Sequence, residues 1–137
     1  RGTREEVMKK KILVVDDEMD IRIFLSTLLE TNGYKPIVAK DGEEGLKMIQ
    51  ENKPDGIILD VMMPKESGLK LYREIKSNEQ TKNIPVIMCS AVAKKTFFHS
   101  HKELDRYHGA SIPEPEAYIE KPPETEELLS HLQRLVT

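Results

Sequence analysis

The sequence contains one cysteine, a small excess of negative charge and no long apolar run, and each of these limits its possible functions. Cys89 has no second cysteine with which to form an internal disulfide, which fits a protein of the reducing cytoplasm. The net charge of −3 supplies no basic surface for DNA or RNA. No apolar segment is long enough to cross a membrane, and residues 1–6 lack the apolar core of a signal peptide. We therefore expect a cytoplasmic protein that neither binds nucleic acid directly nor inserts into a membrane.

Length and composition indicate one folded domain. The 137 residues, of which 38% are hydrophobic, are enough to form a single core. A Met-Lys-Lys-Lys run at residues 8–11 resembles a natural start just before the first apolar segment. We assign residues 1–8 to an N-terminal extension or a vector-derived remnant, and residues 9–137 to the domain.

Apolar runs alternate with helical patterns along the chain, which indicates an α/β doubly wound sheet. Strands of a parallel sheet are buried on both faces and read as continuous apolar runs. Five such runs occur, at residues 12–15, 36–39, 56–59, 84–89 and 117–120. Asp20 is the predicted N-cap of the first helix, Gly33 its predicted end, and Phe24 one of its predicted core residues. Gly45 lies inside the second helix and indicates either close packing or local weakness.

Acidic residues directly follow two of the apolar runs. Asp16 and Asp17 end the first run, and Asp60 ends the third. If the two strands are neighbours, the three carboxylates converge at the carboxyl edge of the sheet. Desolvation and mutual repulsion would raise their pKa values unless a cation shares the site. Oxygen ligands with room left for water suit Mg²⁺, so the sequence predicts a magnesium site at this edge.

Polar residues at the ends of the last two runs extend this pattern. Ser90-Ala91 follows the fourth run, and Lys121-Pro122 follows the fifth. An Asp-Asp pair, a single Asp, a hydroxyl residue and a Lys-Pro pair on successive strands resemble the receiver domain of two-component response regulators, of the chemotaxis-regulator type, over residues 9–136. The resemblance implies a flavodoxin-like sheet of five parallel strands in the order 2-1-3-4-5, with helices on both faces.

The resemblance also implies that the chain is a signalling module and not an enzyme. Asp60 would accept a phosphoryl group from the phosphohistidine of a histidine kinase or phosphotransfer protein. Lys121 would contact one phosphoryl oxygen, and Ser90 would hydrogen-bond to another. Movement of the Ser90 hydroxyl would leave space that Tyr118 fills by turning inward. That change would alter the surface presented to a downstream effector protein or output domain.

Metal binding and the lifetime of the phosphoryl group follow from the same resemblance. Asp17 and Asp60 would bind Mg²⁺ directly, Asp16 would bind it mostly through water, and the backbone carbonyl of Met62 would be the remaining protein ligand. Met62 and Val92 stand two residues after the acceptor and the switch hydroxyl, beside the route by which water attacks. Since neither side chain can orient a water molecule, we expect slow self-dephosphorylation.

The segment between the fourth and fifth strands departs from the resemblance, because residues 91–120 are several more than receivers usually have there. Ser111–Glu116 places two prolines just before the fifth strand. This insertion is either a tolerated surface loop or part of a partner-binding surface formed by the fourth helix, the fifth strand and the last helix. His101, Asp105 and His108 have helical spacing, which we interpret as a solvated helix face and not a metal site.

Other functions remain open at this stage. The chain could be the receiver portion of a larger response regulator or hybrid histidine kinase, because truncation after the last helix would leave no trace. A phosphatase of the haloacid dehalogenase type also uses an aspartate at a strand end, but it places a second aspartate two residues later, where this chain has Met62. A flavodoxin is disfavoured because Asp16, Asp17 and Glu18 would repel an anion at its phosphate loop.

Overall fold

Strands and helices alternate along the chain in the computed structural model, which describes residues 9–99, 102 and 112–136. The strands are β1 (Lys11–Val15), β2 (Lys35–Ala39), β3 (Gly56–Leu59), β4 (Val86–Ser90) and β5 (Ala117–Glu120). The helices are α1 (Met19–Thr31), α2 (Gly42–Asn52), α3 (Ser67–Ser77), α4, of which residues 94–99 and 102 are described, and α5 (Thr125–Leu135). A 3₁₀ turn over Pro64–Glu66 precedes α3. Among the described residues, no helix combines the length and apolar character needed to cross a membrane.

All five strands are parallel, and their order in the sheet is β2-β1-β3-β4-β5. The predicted fold is therefore confirmed. Val15 pairs with Leu59, and Leu59 pairs with Met88, so β1, β3 and β4 end side by side. The chain leaves β1 toward β2 on one side and returns to β3 on the other. In open α/β sheets, the crevice at such a reversal is where ligands bind.

Apolar side chains of the strands alternate between two cores, one on each face of the sheet. In β1, Leu13 and Val15 belong to the core that contains α2 and α3, whereas Ile12 and Val14 belong to the core that contains α1 and α5. Successive side chains of a strand point to opposite faces. Both faces are therefore covered by helices, which explains why the strands read as unbroken apolar runs.

Two glycines allow close packing around β1 and β3. A Cβ atom on Gly45 would lie 2.8 Å from Cδ2 of Leu71 and 3.2 Å from Cγ2 of Val15. Close packing, and not local weakness, therefore explains this glycine. A Cβ atom on Gly68 would overlap the carbonyl oxygen of Asp60 and lie 2.8 Å from Cα of Val61. The first turn of α3 thus lies directly against the backbone of Asp60.

The sequence predicted the end of α1 correctly but not its start. The helix begins at Met19 with Glu18 as its N-cap, so the prediction of Asp20 as N-cap was wrong, and Asp20 lies in the first turn. Gly33 follows the helix with φ of +87°, which confirms the predicted end. Phe24 is exposed and is not one of the core residues.

Residues 112–116, the described part of the predicted insertion, are attached to α3. The hydroxyl of Tyr72 donates a hydrogen bond to the carbonyl of Pro113. Nζ of Lys76 lies 2.9 Å from Oε1 of Glu116. The same Oε1 accepts a hydrogen bond from the first amide of β4, so the attachment lies at the amino end of the sheet. This is the end opposite the acidic residues.

Some sequence predictions fall outside the described residues. They are the N-terminal extension at residues 1–8, the spacing of His101, Asp105 and His108, and the first residue of the insertion, Ser111. The interpretation of the histidine spacing as a solvated helix face therefore stays a prediction.

Candidate functional site

Carboxylates from the ends of β1 and β3 meet at the carboxyl edge of the sheet. The residues are Asp16, Asp17, Glu18 and Asp60, and one carboxylate oxygen from each lies within 4.8 Å of the others. Asp16 and Asp60 are buried, whereas Asp17 and Glu18 are exposed. The convergence predicted for the three aspartates is observed. Glu18 was not among the predicted site residues, although its position directly after the Asp-Asp pair was a signal for including it.

Backbone amides fix the direction of the two buried carboxylates. Oδ1 of Asp16 accepts a hydrogen bond from the amide of Glu18 at 2.9 Å, and Oδ1 of Asp60 accepts one from the amide of Met62 at 2.9 Å. Arg22 donates to the carbonyl oxygen of Asp16 at 2.8 Å. In each aspartate the turn after the strand therefore holds one carboxylate oxygen and directs Oδ2 toward the centre of the site.

Lys121 lies at that centre and contacts three of the carboxylates. Its Nζ is 2.8 Å from Oε1 of Glu18, 2.9 Å from Oδ2 of Asp16 and 3.2 Å from Oδ2 of Asp60. The Lys121 amide also donates to the carbonyl of Ser90 at 2.8 Å, which continues the pairing of β5 with β4. The peptide bond between Lys121 and Pro122 is cis.

Burial and charge act in opposite directions on the pKa values in this cluster. Burial lowers the pKa of Lys121, but hydrogen bonds to Asp16 and Glu18 outweigh it, so the pKa lies above its ordinary value. Burial raises the pKa of Asp16, the hydrogen bonds from Lys121 and the Glu18 amide lower it, and the charge of Asp60 adds to the rise. The net shift of the pKa of Asp16 is upward, and burial is its largest cause.

The donor set of this cluster fits Mg²⁺. All four side chains offer oxygen ligands. The only described positive charge in contact with them is the ammonium group of Lys121, which contacts three of the four carboxylates. The cluster therefore keeps a net negative charge when its acids are ionised. Hard divalent cations prefer oxygen ligands, and Mg²⁺ retains waters that can occupy the exposed side next to Asp17.

Ser90 and Tyr118 are connected through the backbone of Val92. The fully buried Ser90 is the last residue of β4, and its Oγ accepts a hydrogen bond from the Val92 amide at 3.2 Å. The hydroxyl of Tyr118 donates to the Val92 carbonyl at 2.7 Å. The Tyr118 ring lies 5.3 Å from the ring of Phe97 and 5.7 Å from that of Phe98, measured between centroids. Tyr118 is buried, and its predicted inward turn on phosphorylation stays a prediction.

The two residues predicted to control the phosphoryl lifetime differ in exposure. Met62 is exposed at the edge of the acidic cluster, and Val92 is half-buried. The amide of Met62 is bonded to Asp60, so the Met62 side chain begins directly beside the predicted acceptor. The slow hydrolysis expected from this apolar pair stays a prediction.

Comparison with known proteins places this site in a family context. The family model of the response regulator receiver domain matches residues 12–133, which include all the predicted site residues. The probable transcriptional regulator ycf27 of Cyanophora paradoxa is 37% identical over 131 residues, covering 96% of this chain and 50% of the relative. The phosphate regulon transcriptional regulatory protein PhoB of Escherichia coli (strain K12) is 33% identical over 129 residues, covering 94% and 52%. The chain spans about half the length of these curated relatives.

A solved structure shows the same arrangement of strands and helices. The chemotaxis response regulator CheY4 of Vibrio cholerae matches with a TM-score of 0.76 and 31% sequence identity. The match covers 93% of this chain and 99% of that chain. The similarity therefore extends across nearly the whole of both sequences.

Proposed function

We propose that this chain, which belongs to the response regulator receiver family, is a phosphorylatable signalling module whose acceptor is Asp60. The supporting observation is the position of Lys121, whose ammonium contacts Asp60 and the acidic residues after β1. Phosphoryl transfer depends mainly on alignment and charge neutralisation. A lysine at the carboxylate oxygen that would be modified supplies part of that neutralisation.

The transfer would convert the carboxylate of Asp60 into an acyl phosphate. One oxygen of Asp60 attacks the phosphorus of a phosphohistidine on a histidine kinase or phosphotransfer protein. The P–N bond breaks, and its electron pair stays on the imidazole nitrogen. The Met62 amide holds Oδ1 of Asp60, while Lys121 turns to a phosphoryl oxygen and Ser90 hydrogen-bonds to another.

Mg²⁺ is the cofactor that this acidic cluster would hold. Asp17 and Asp60 would bind it directly, Asp16 would bind it mostly through water, and the Met62 carbonyl would be the fourth protein contribution. The chemistry that Mg²⁺ would supply there is neutralisation of the charge on the transferred group. Support comes from the oxygen-only donor set and from the raised pKa of Asp16, which reflects burial of a carboxylate in a crowded site.

The signal would leave the site through the backbone of Val92. When Ser90 turns its hydroxyl to a phosphoryl oxygen, it gives up the hydrogen bond that its Oγ now accepts from the Val92 amide. The carbonyl of Val92 holds the hydroxyl of Tyr118. The amide and the carbonyl of Val92 lie in two consecutive peptide units, so movement of the Val92 backbone would reach both switch residues and the α4–β5 surface.

We further propose that residues 9–137 form the receiver domain and that it regulates an effector protein or an output domain without catalysing a reaction on another substrate. Support comes from the curated relatives, which are named as transcriptional regulators and are about twice as long as this chain. In such a protein the receiver would work in the cytoplasm and affect DNA only indirectly.

Phosphorylation of the purified chain tests this function directly. The wild type, Asp60→Asn and Asp20→Asn are incubated with acetyl phosphate and Mg²⁺, and the phosphoryl adduct is located by mass spectrometry. The wild type and the exposed control Asp20→Asn should carry an adduct on Asp60, and Asp60→Asn should carry none while keeping its fold by circular dichroism. A stoichiometric adduct on Asp60→Asn at the wild-type rate would overturn the assignment of the acceptor.

A further inference from the structure

Lys121 has a partner in this structure that the proposed chemistry does not use. The Lys121 ammonium donates hydrogen bonds to Glu18 and Asp60 and forms an ion pair with Asp16. The contact with Glu18 is the shortest of the three, at 2.8 Å. Transfer would turn the Asp60 carboxylate into an acyl phosphate, and as Lys121 turns to a phosphoryl oxygen it would give up its contact with Asp16 or with Glu18.

Exposure decides which carboxylate is released. The side chain of Asp16 is only 3% exposed, so an unpaired charge there would be costly. The Glu18 side chain is 59% exposed, and water can replace its contact with Lys121. Glu18 is therefore the partner that Lys121 can give up most easily.

We propose that Glu18 is a positioning residue that acts through Lys121, holding its ammonium before transfer and releasing it when the phosphoryl group arrives. This inference rests on the proposed function. The Glu18 contact stabilises the unmodified state and is absent once Lys121 has turned. Removing it should therefore speed phosphorylation of Asp60, roughly two- to fivefold, the range expected for an exposed ion pair.

Three variants separate this contact from a general effect of charge. Glu18→Gln removes the charge and the ion pair. Glu18→Asp keeps the charge on a side chain that is shorter by one methylene and is expected to lose the contact with Lys121. Asp20→Asn removes an equal charge at the same exposed end of α1 and serves as the control. Each rate is measured with limiting acetyl phosphate at a Mg²⁺ concentration that saturates the variant in question.

Both Glu18 variants should be faster than wild type, and Asp20→Asn should not. In a Lys121→Met background, Glu18→Gln should have no effect, because the residue through which it acts is gone. The ¹⁵N resonance of Lys121 Nζ, recorded without phosphodonor or Mg²⁺, should shift in both Glu18 variants and stay unchanged in Asp20→Asn.

The opposite results would overturn the inference. One such result is that Glu18→Asp is phosphorylated at the wild-type rate while Glu18→Gln and Asp20→Asn are equally fast. The rate of phosphorylation would then depend only on the charge near the site and not on the contact with Lys121. The same acceleration by Glu18→Gln in the Lys121→Met background would show that Lys121 is not involved. If Asp60 is phosphorylated at the same rate in the wild type and in the Glu18 variants, this inference alone is overturned. If the wild type is not phosphorylated on Asp60, the proposed function is overturned as well.

Discussion

Removing Glu116 should destabilise the domain strongly, although it lies far from the acidic cluster. Its carboxylate oxygens lie 2.9 and 3.0 Å from Nζ of Lys76, whose side chain is only 2% exposed. Its Oε1 also accepts a hydrogen bond from the Val86 amide at 2.7 Å. Glu116→Ala would leave the ammonium of Lys76 with the carbonyls of Lys82 and Ile84, each at 3.3 Å.

The expected loss in the free energy of unfolding follows from the contacts that Lys76 and the Val86 amide lose. Removing one partner of a buried ion pair costs about 3–5 kcal/mol. Because the Glu116 side chain is 34% exposed, water can enter the space it leaves, so we expect the lower end, about 3 kcal/mol. About 1 kcal/mol of that cost is the lost acceptor of the Val86 amide. Lys76→Met should cost only about 1 kcal/mol, because Glu116 keeps the Val86 amide and stays partly hydrated.

Urea unfolding of the two single variants and the double variant measures these terms. In the Lys76→Met background, Glu116→Ala should cost only about 1 kcal/mol, which corresponds to a coupling energy of about 2 kcal/mol. Glu114→Ala, an exposed acid in the same segment, is the control and should change the free energy of unfolding by less than about 0.5 kcal/mol.

Two results would refute this reasoning. A cost below about 1 kcal/mol for Glu116→Ala would place the pair among ordinary exposed ion pairs. Strict additivity of the two substitutions would show that the two side chains do not stabilise each other. Either result would mean that the ion pair between Glu116 and Lys76 does not fasten residues 112–116 to α3 in solution.

Three further predictions concern the site and its surroundings. Mg²⁺ should raise the melting temperature of the wild type and of Asp20→Asn but not of Asp17→Ala, because the ion binds the folded state through Asp17; an unchanged shift in Asp17→Ala would place the ion elsewhere. Met62→Asn should speed loss of the phosphoryl group in Mg²⁺, because its amide can orient a water; equally rapid loss from the wild type would contradict this. Burial raises the pKa of Cys89 to about 12, so at pH 8 about one thiol in ten thousand is ionised. Ellman's reagent should therefore react only after unfolding, and rapid reaction with the folded chain would disprove the burial of this thiol.

The strands and the acidic residues at their ends could be predicted because both depend on local patterns, whereas the order of the strands came from the family resemblance. A strand buried on both faces must be apolar throughout, and a carboxylate directly after it must lie at the edge of the sheet. The start of α1 was predicted two residues too late, because capping propensity pointed to Asp20. Instead, the turn before the helix is set by the hydrogen bond from the Glu18 amide to Asp16.

Contacts between distant segments carried no such signal. Lys76 and Glu116 are 40 residues apart, and neither has a neighbour in sequence that identifies its partner. Glu18 and Lys121 are 103 residues apart, and their contact depends on the places of β1 and β5 in the sheet. The acidic run at residues 16–18 was visible in the sequence, but which of its members would bind the lysine was not.

Because Gly68 lies directly against the Asp60 backbone, a rotation of α3 at that end would move the opposite end of the helix. One end of this helix rests against the predicted acceptor, and the other carries Lys76, eight residues further along. At 1.5 Å per residue, the arm is about 12 Å long. A tilt of about 10° around Gly68 would move the far end by about 2 Å. A displacement of that size at Lys76 is large enough to alter its 2.9 Å contact with Glu116, so α3 connects the two edges of the sheet.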